Sequence, residues 1–142
     1  PRGRFLDLFS GSGAIGLEAA SRGWDATLVD LSAGAVAVIR RNAARLGLPA
    51  EVVKADALRF ASEQPRAYDV LFAAPPYPAD LSRIFAALLA SGAVKPGGLY
   101  VLQHPTGFAL PEMPPALAGA ETRLKRYGSN SVSLVRAPAE AP

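Results

Sequence analysis

Short apolar runs alternate with helical patterns along the chain. Runs of strand length cover Arg4–Phe9, Asp25–Asp30, Glu51–Ala55 and Tyr68–Ala73. Each run is followed by residues with helical spacing or helix-capping residues, and this alternation is typical of a parallel sheet with helices on both faces. The fourth run is apolar enough to predict a strand that is covered on both faces.

The helices between these strands have clear start and stop residues. The stretch "GSGAIGLEAASRG" predicts a turn and a helix that ends at Gly23. Ser32 is a good N-cap for the next helix, and Gly47 is its expected end. A short helix is expected over Ala57–Glu63, and Asp80 can cap a later one. The apolar positions predicted to share one face of the second helix are Val36, Ile39, Ala43 and Leu46.

The C-terminal half predicts the rest of the sheet. The helix after Asp80 carries apolar side chains, and "KPGG" predicts a turn into a fifth strand over Leu99–Gln103. Two last strands, near Thr122–Tyr127 and Ser131–Arg136, can form a hairpin across "GSN". The apolar positions of that helix are Leu81, Ile84, Phe85, Leu88 and Leu89.

Composition indicates one globular domain. The chain has 142 residues, half of them apolar and 19% charged, and we expect a single domain over residues 1–136 with a disordered tail over 137–142. No apolar run approaches the length of a membrane span, and there are no cysteines, so a cytoplasmic location is expected and a disulfide framework is not.

A mild basic excess, a net charge of +3, suits a polyanionic partner. Its cations fall in two groups, one made of Arg40, Arg41 and Arg45 and the other of Arg123, Lys125 and Arg126. Each group is equally consistent with a solvated surface.

The glycines after the first strand indicate a ligand loop. Gly11, Gly13 and Gly16 satisfy G-x-G-x-x-G between a strand and a helix, where backbone N–H groups can approach a ligand closely. Asp30, at the end of the second strand, can accept both hydroxyls of a ribose, or can be a turn or capping residue. Both a nicotinamide dinucleotide and S-adenosylmethionine fit this pattern.

Two further aspartates favour S-adenosylmethionine. Asp56 follows the third strand, within reach of an adenine, although it can also be an N-cap. Asp7 lies inside the first strand, where an uncompensated carboxylate is costly, so we expect it to meet a ligand or backbone donors. A dinucleotide site needs neither residue.

Several motifs in order resemble one enzyme family. They are "DLFSGSGAIGLEAASRG", the acid Asp30, "KADAL", "APPY", "KPGGLYVLQHP" and "YGSNSVSLV". From Arg4 to Arg136 the chain resembles the Rossmann-type S-adenosylmethionine methyltransferases, and within them the bacterial RsmD type, which methylates the N2 amine of one guanine in small-subunit (16S) ribosomal RNA. The resemblance implies a seven-stranded, mostly parallel α/β sheet with a C-terminal antiparallel hairpin.

The resemblance also implies the site. S-adenosylmethionine would be the cofactor, small-subunit ribosomal RNA or the assembling small subunit the partner, and no metal would be needed. A monomer is expected. The implied cofactor-binding residues are Asp7, Ser10, Gly11, Ser12 and Gly13 at the methionine end, Asp30 with Leu31 at the ribose, and Asp56 with Ala57 at the adenine. The implied catalytic residues, which would form the target-base pocket, are Ala74, Pro75, Pro76 and Tyr77.

One position departs from the family pattern. The family has Asp or Asn where this chain has Ala74, and the missing side chain would accept a hydrogen bond from the target amine. Its loss costs about 1.5–3 kcal/mol, or roughly tenfold to a few hundredfold in rate. Asp69 lies about 16 Å away along the strand and cannot substitute. Asp80 could do so only if its loop folded back, and its N-cap role is the simpler interpretation.

Three functions remain open from the sequence. The first is an active RNA methyltransferase in which backbone carbonyls serve the amine. The second is a cofactor-binding module with lost or altered chemistry, and the third is an oxidoreductase fragment that binds a nicotinamide dinucleotide. Trp24 and His104 could contact a substrate, although packing is the simpler role for both.

Overall fold

A computed structural model describes residues 2–76 and 80–139. Strands and helices alternate along these residues, as the sequence predicted. The strands are β1 (Arg4–Leu8), β2 (Asp25–Asp30), β3 (Glu51–Lys54), β4 (Tyr68–Ala73), β5 (Val94–Pro105), β6 (Glu121–Tyr127) and β7 (Asn130–Arg136). The helices are α1 (Ala14–Ser21), α2 (Ala33–Leu46), α3 (Ala57–Ser62) and α4 (Leu81–Ala90), and a short 3₁₀ turn covers Pro115–Leu117.

The strands form one mixed sheet in the order β3-β2-β1-β4-β5-β7-β6. Strands β1 to β5 are parallel to one another, whereas β7 is antiparallel to both β5 and β6. The predicted α/β fold and C-terminal hairpin are therefore confirmed. The strand order reverses between β1 and β4, which opens a crevice at the carboxyl edge, where ligands bind in sheets of this kind.

The caps of the first two helices agree with the sequence. Ser32 caps α2 by accepting a hydrogen bond from the Ala35 N–H, and Gly47 ends that helix at φ 65°. Gly23 follows α1 at φ 92°, a conformation that favours glycine. The predicted shared face of α2 is wrong at Leu46, whose side chain is 62% exposed. Leu46 lies in the last turn, where it lines a groove between α1 and α2 rather than packing on the sheet.

The stretch "KPGG" lies inside β5 instead of forming a turn before it. Val94 already pairs with Tyr68, and the register then shifts so that Leu99 pairs with Val70. Gly97 has φ 77°, and its positive φ allows the extra residues to bulge out of the strand. Sheet pairing with β4 thus extends the strand beyond the predicted bounds.

The two faces of the sheet are covered differently. One face packs against α3, α4 and the 3₁₀ turn in the larger core cluster, which includes Leu6, Leu71 and Leu102. On the other face, α1 and α2 pack on β1, β2 and β3 in a smaller cluster. On the remaining strands, most apolar side chains of that second face are partly exposed, and Phe72 is the buried exception among those described. The partly exposed ones, which belong to neither cluster, are Val70, Leu99, Val101, Val132 and Leu134.

This asymmetry corrects the prediction for β4. Leu71 and Ala73, on the face of α4, are fully buried. On the other face Phe72 is buried too, but Val70 is partly exposed. An apolar strand sequence shows that a face can be buried, but the placement of the helices decides whether it is. In this fold α1 and α2 lie over β1 to β3, and the second face of β4 is covered at Phe72 but not at Val70.

Several other side chains have structural roles. His104 is buried, with Nε2 2.7 Å from the Ser133 Oγ, so it is held in the core. Trp24 packs edge-on against Phe5 with ring centroids 5.8 Å apart.

The start of the expected tail contacts the sheet, since Ala137 is buried and its N–H donates to the Gly98 carbonyl. Residues 140–142 of that tail lie outside the described residues. Within the described part of the chain, no helix is long and apolar enough to cross a membrane.

Candidate cofactor and substrate cleft

A cleft of about 350 Å³ opens at the carboxyl edge of the sheet, next to the reversal of strand order. It brings together seven of the predicted site residues from four different loops. Parallel strands deliver their carboxyl ends to one edge, which explains this convergence. The lining residues are Phe9, Gly11, Asp30, Leu31, Asp56, Ala57, Ala74 and Pro76.

Asp30 is held in place by the backbone on both sides. Its Oδ2 accepts a hydrogen bond from the Gly11 N–H and its Oδ1 accepts one from the Ser32 N–H, both at 2.9 Å. A carboxylate offers about four acceptor positions, so about two remain for ligand hydroxyls. Asp30 therefore stabilises two turns and also lines the cleft, so its two sequence interpretations are compatible.

Asp56 likewise has two roles. It is the N-cap of α3, since its Oδ1 accepts from the Arg59 N–H at 3.0 Å. It also lines the cleft beside Ala57. Capping occupies one oxygen and fixes the rotamer, which leaves the other oxygen as an acceptor for a ligand N–H.

Asp7 does not line the cleft. Its side chain is buried beneath the glycine loop, and its Oδ2 accepts from the Gly16 N–H at 2.9 Å. Burial raises the pKa of Asp7 to about 7, a shift that the Gly16 hydrogen bond opposes and the negative charge of Asp30 reinforces. Of the two expectations for Asp7, backbone donors are the contact that the structure contains. Its position suits support of the loop rather than direct contact with a ligand.

The loop itself is tightly organised. The Ser10 Oγ donates to the Asp7 carbonyl at 2.7 Å, and the Gly13 N–H donates to the Ser10 carbonyl at 2.8 Å. Gly13 starts α1 with φ 81°. A Cβ on Gly16 would lie 2.5 Å from Leu28 Cγ, so only glycine permits this approach of α1 to β2.

Four of the predicted cofactor residues do not line the cleft, and they are Asp7, Ser10, Ser12 and Gly13; of these, Ser12 lines another opening. This second opening is larger, about 510 Å³, and lies between α1 and α2. Its neighbour Gly11 lines the cleft at the sheet edge, so the chain between them turns from one opening to the other. The family resemblance implies a role for Ser12 at the methionine end of the cofactor, and that role stays a prediction.

Phe9 is a lining residue that the sequence interpretation missed. It follows β1 directly and has φ 58°, which is uncommon for a bulky residue and costs energy. This backbone turn directs the chain from β1 into the glycine loop. An aromatic residue between a strand and a glycine loop was the available signal, but its φ cannot be read from sequence.

The predicted catalytic stretch is only partly described. Ala74 and Pro76 line the cleft, whereas Pro75 is half-buried and not among the lining residues. Tyr77 lies outside the described residues. Asp80 caps α4, with its Oδ1 accepting from the Arg83 N–H at 3.2 Å, as its simpler interpretation predicted.

Asp69 is far from the cleft, as expected. Its Oδ2 accepts from the Arg4 N–H at 2.8 Å and lies 3.3 Å from the Lys95 Nζ, at the amino edge of the sheet. The Arg4 N–H, together with the ammonium of Lys95, lowers the pKa of Asp69. Among the described residues, Asp30 and Asp56 are thus the carboxylates that line the cleft.

The strand order, the glycine loop and the cleft at the carboxyl edge define a Rossmann-like methyltransferase fold. Residues 1–136 match the family described as "Conserved hypothetical protein 95", and the chain belongs to that family. The resemblance to the RsmD type is thereby confirmed.

Curated relatives carry methyltransferase names. The "Putative rRNA methyltransferase YlbH" of Bacillus subtilis is 31% identical over 141 residues, which cover 94% of this chain and 76% of that protein. The "Ribosomal RNA small subunit methyltransferase D" of Buchnera aphidicola is 31% identical over 86 residues, or 59% of this chain and 44% of that protein. The chain spans only 18% of a "tRNA (guanine(26)-N(2))-dimethyltransferase" of Halobacterium salinarum, with 42% identity over 67 residues.

A solved structure agrees with the fold. A hypothetical protein of Thermus thermophilus is 49% identical, with a TM-score of 0.80 over 94% of this chain and 75% of that one. The similarity thus includes nearly all of the present chain but not all of the relatives' length.

Proposed function

We propose that the chain is an S-adenosylmethionine-dependent methyltransferase that acts on the exocyclic N2 amine of a guanine in small-subunit ribosomal RNA. The observation that carries this proposal is one cleft that joins Asp30 and Asp56 to Ala74 and Pro76. Family membership and the names of the relatives support it. An RNA substrate of this kind also fits the expected cytoplasmic location.

The free acceptors of the cleft fit S-adenosylmethionine. Asp30 keeps about two acceptor positions for the ribose hydroxyls, and Asp56 keeps one oxygen for the adenine amine. Leu31, whose side chain is 65% exposed, and Ala57 offer apolar surface to the adenine ring. The bound cofactor would supply an electrophilic methyl group on a sulfonium.

The residues after β4 would position the target guanine. An exocyclic amine is a poor nucleophile because its lone pair is delocalised into the ring, and acceptors aimed at its N–H groups oppose that delocalisation. Prolines 75 and 76 fix the backbone after Ala74, and a carbonyl held there would accept from the amine. Tyr77 would stack on a base taken out of its helix. Alignment of amine and methyl carbon would then supply most of the rate.

Ala74 is the position at which the proposed mechanism lacks a side-chain acceptor for the target amine. It lines the cleft where the family pattern has an amide or carboxylate, and alanine has no side-chain acceptor. A cofactor-binding module with altered chemistry therefore remains the second candidate. The dinucleotide oxidoreductase has no support from the family or from its relatives.

The decisive experiment is methyl transfer to small ribosomal subunits that lack their own N2-methylguanines. Labelled S-adenosylmethionine is added, and the RNA is digested to identify the modified base. We expect label on guanine N2 with the unaltered chain and none with Asp30→Ala, while Asp25→Ala, an exposed acid at the other end of β2, keeps the activity. Cofactor binding without label on any base would contradict the proposal and favour the binding module.

A further inference from the structure

The edge strand β6 is unusual in its exposure and its charge. All seven of its residues are exposed, including Leu124 and Tyr127. It carries Arg123, Lys125 and Arg126 but only one acid, Glu121, at its far end. In the described part of the chain, none of the three cations forms an ion pair or a side-chain hydrogen bond.

The sheet directs this strand towards the cleft. Strand β6 is antiparallel to β7, and β7 is antiparallel to β5, so β6 ends at the same carboxyl edge as β5. The pairing places Arg126 level with Ser131 and His104, two residues beyond Leu102, which pairs with Ala73 at the end of β4. Three strand spacings, about 14 Å, separate β6 from β4.

The hairpin tip is tied to the end of β5 rather than free. The Thr106 Oγ1 donates to the Gly128 carbonyl at 2.9 Å, and the Thr106 N–H donates to the Ser129 carbonyl at 2.9 Å. Thr106 Oγ1 also lies 2.8 Å from the Ser131 Oγ. The backbone at the end of β6 is therefore held in place relative to the end of β5.

We propose that the outer surface of the β6–β7 hairpin binds the single-stranded RNA that flanks the target guanine. Arg123 and Lys125 share the open face of the sheet with Tyr127, because side chains alternate along a strand. These two cations would contact phosphates and the exposed ring of Tyr127 would stack on a base, while Arg126 would reach a phosphate from the other side of the edge strand. A basic strip with an aromatic residue at its end suits a single strand, because the phosphates and base faces are all accessible. The inference rests on the proposed function, since it names where the substrate of that same cleft would be held.

A structural role for the same charges is the competing explanation. Cations on an edge strand prevent two sheets from pairing edge to edge, and this role needs no ligand. The two explanations predict different effects of removing the charge. If the cations only prevent pairing between sheets, their removal promotes self-association of the protein. If they bind RNA, their removal lowers the affinity for RNA and weakens its dependence on salt.

The test compares two double variants that remove equal charge. Arg123→Gln with Lys125→Gln alters the face of the hairpin that carries Tyr127, and Arg41→Gln with Arg45→Gln alters exposed arginines of α2. Fluorescence anisotropy measures binding to a labelled single-stranded RNA of about 12 nucleotides at several salt concentrations. Light scattering measures self-association of each variant.

We expect the hairpin variant to bind roughly tenfold or more weakly and to lower the slope of log affinity against log salt by about 1.4, with little change in the α2 variant. Tyr127→Leu should weaken binding about fivefold or more with an unchanged slope. Equal losses in both double variants would overturn the proposal, as would self-association of the hairpin variant with unchanged RNA affinity.

Methyl transfer separates this proposal from the proposed function. RNA binding is measured without S-adenosylmethionine, so a hairpin-dependent affinity with no transfer by the unaltered chain would contradict the enzymatic function alone. Transfer to guanine N2 with no effect of the hairpin variant on affinity or rate would contradict the hairpin surface alone.

Discussion

The two halves of the sheet differ in how they are covered and in what their carboxyl ends carry. Strands β3, β2 and β1 have helices on both faces. The acids Asp7 inside β1, Asp30 at the end of β2 and Asp56 after β3 accept hydrogen bonds from backbone N–H groups. Strands β4, β5 and β7 are buried mainly on one face and have partly exposed apolar side chains on the other. The edge strand β6 is exposed along its whole length and carries unpaired cations.

The difference agrees with the two roles proposed above for the two halves of the sheet. The first half holds its polar groups in fixed positions before any ligand arrives, which suits recognition of one small molecule. The second half leaves charge and apolar surface exposed, which suits a large polyanion with many weak contacts. The predictions below test each half, from the largest expected effect to the smallest.

Removal of the Asp30 carboxylate should have the largest effect. Hydrogen bonds to a charged acceptor contribute about 1.5–3 kcal/mol each, so Asp30→Ala should weaken binding of S-adenosylhomocysteine by at least about 100-fold if both ribose hydroxyls are held. Isothermal titration calorimetry measures this loss, with Asp25→Ala as the control of equal charge. A loss below tenfold would show that the first half does not hold the ribose in this way.

The covered and open faces of β5 should differ in their contribution to stability. Leu102 is fully buried in the larger cluster, whereas its neighbour Val101 is partly exposed on the open face. Leu102→Ala should lower the free energy of unfolding by about 2–5 kcal/mol, and Val101→Ala should lower it by clearly less. Urea unfolding measures both, and similar losses would mean that the open face is covered in solution.

Restoring an acceptor at the cleft should raise the rate. Ala74→Asp would add the side-chain oxygen that the family pattern contains, and a gain of roughly tenfold to a few hundredfold in methyl transfer is expected. The control is Ala74→Leu, which adds bulk at the same position without adding an acceptor. Ala73→Asp cannot serve as a control because Ala73 is buried. A rate that is unchanged by Asp would show that the backbone acceptors already suffice.

The buried acid should make stability depend on pH. The pKa of Asp7 is raised to about 7 in the folded protein, so between about pH 4 and 7 the folded state holds a proton that the unfolded state has lost. Stability should therefore fall as pH rises through this window, by at most about 1.4 kcal/mol per pH unit from this group. Asp7→Asn should remove that slope in urea unfolding at a series of pH values. An unchanged slope would assign it to other groups.

Much of the fold could be predicted because its signals are local. Ser32, Gly47 and Asp80 cap or end helices through their own side chain or their own φ, and each lies where the sequence placed it. The bulge in β5 could not be predicted in this way. Its register is set by pairing with β4, a strand distant in sequence, and the residues "KPGG" look like an ordinary turn.

The site was predicted as a set of residues rather than as a geometry. Glycine spacing and acids at strand ends identified Gly11, Asp30 and Asp56, because parallel strands bring their carboxyl ends together. The sequence could not show that Ser12 faces a different opening or that Phe9 turns into the cleft at positive φ. Those facts depend on how a loop of a few residues is directed by the helix and strand that flank it.

The sequence by itself determined the order of strands and helices and the glycine loop, since these are properties of neighbouring residues, and its resemblance to the family identified the departure at Ala74. Only the tertiary structure decided which sheet face lies open, that Asp7 is buried beneath Gly16, and that β6 carries its cations towards the cleft edge. Burial and pairing arise between segments far apart in the chain, and an amino-acid pattern records which surfaces can pack but not which partner covers them.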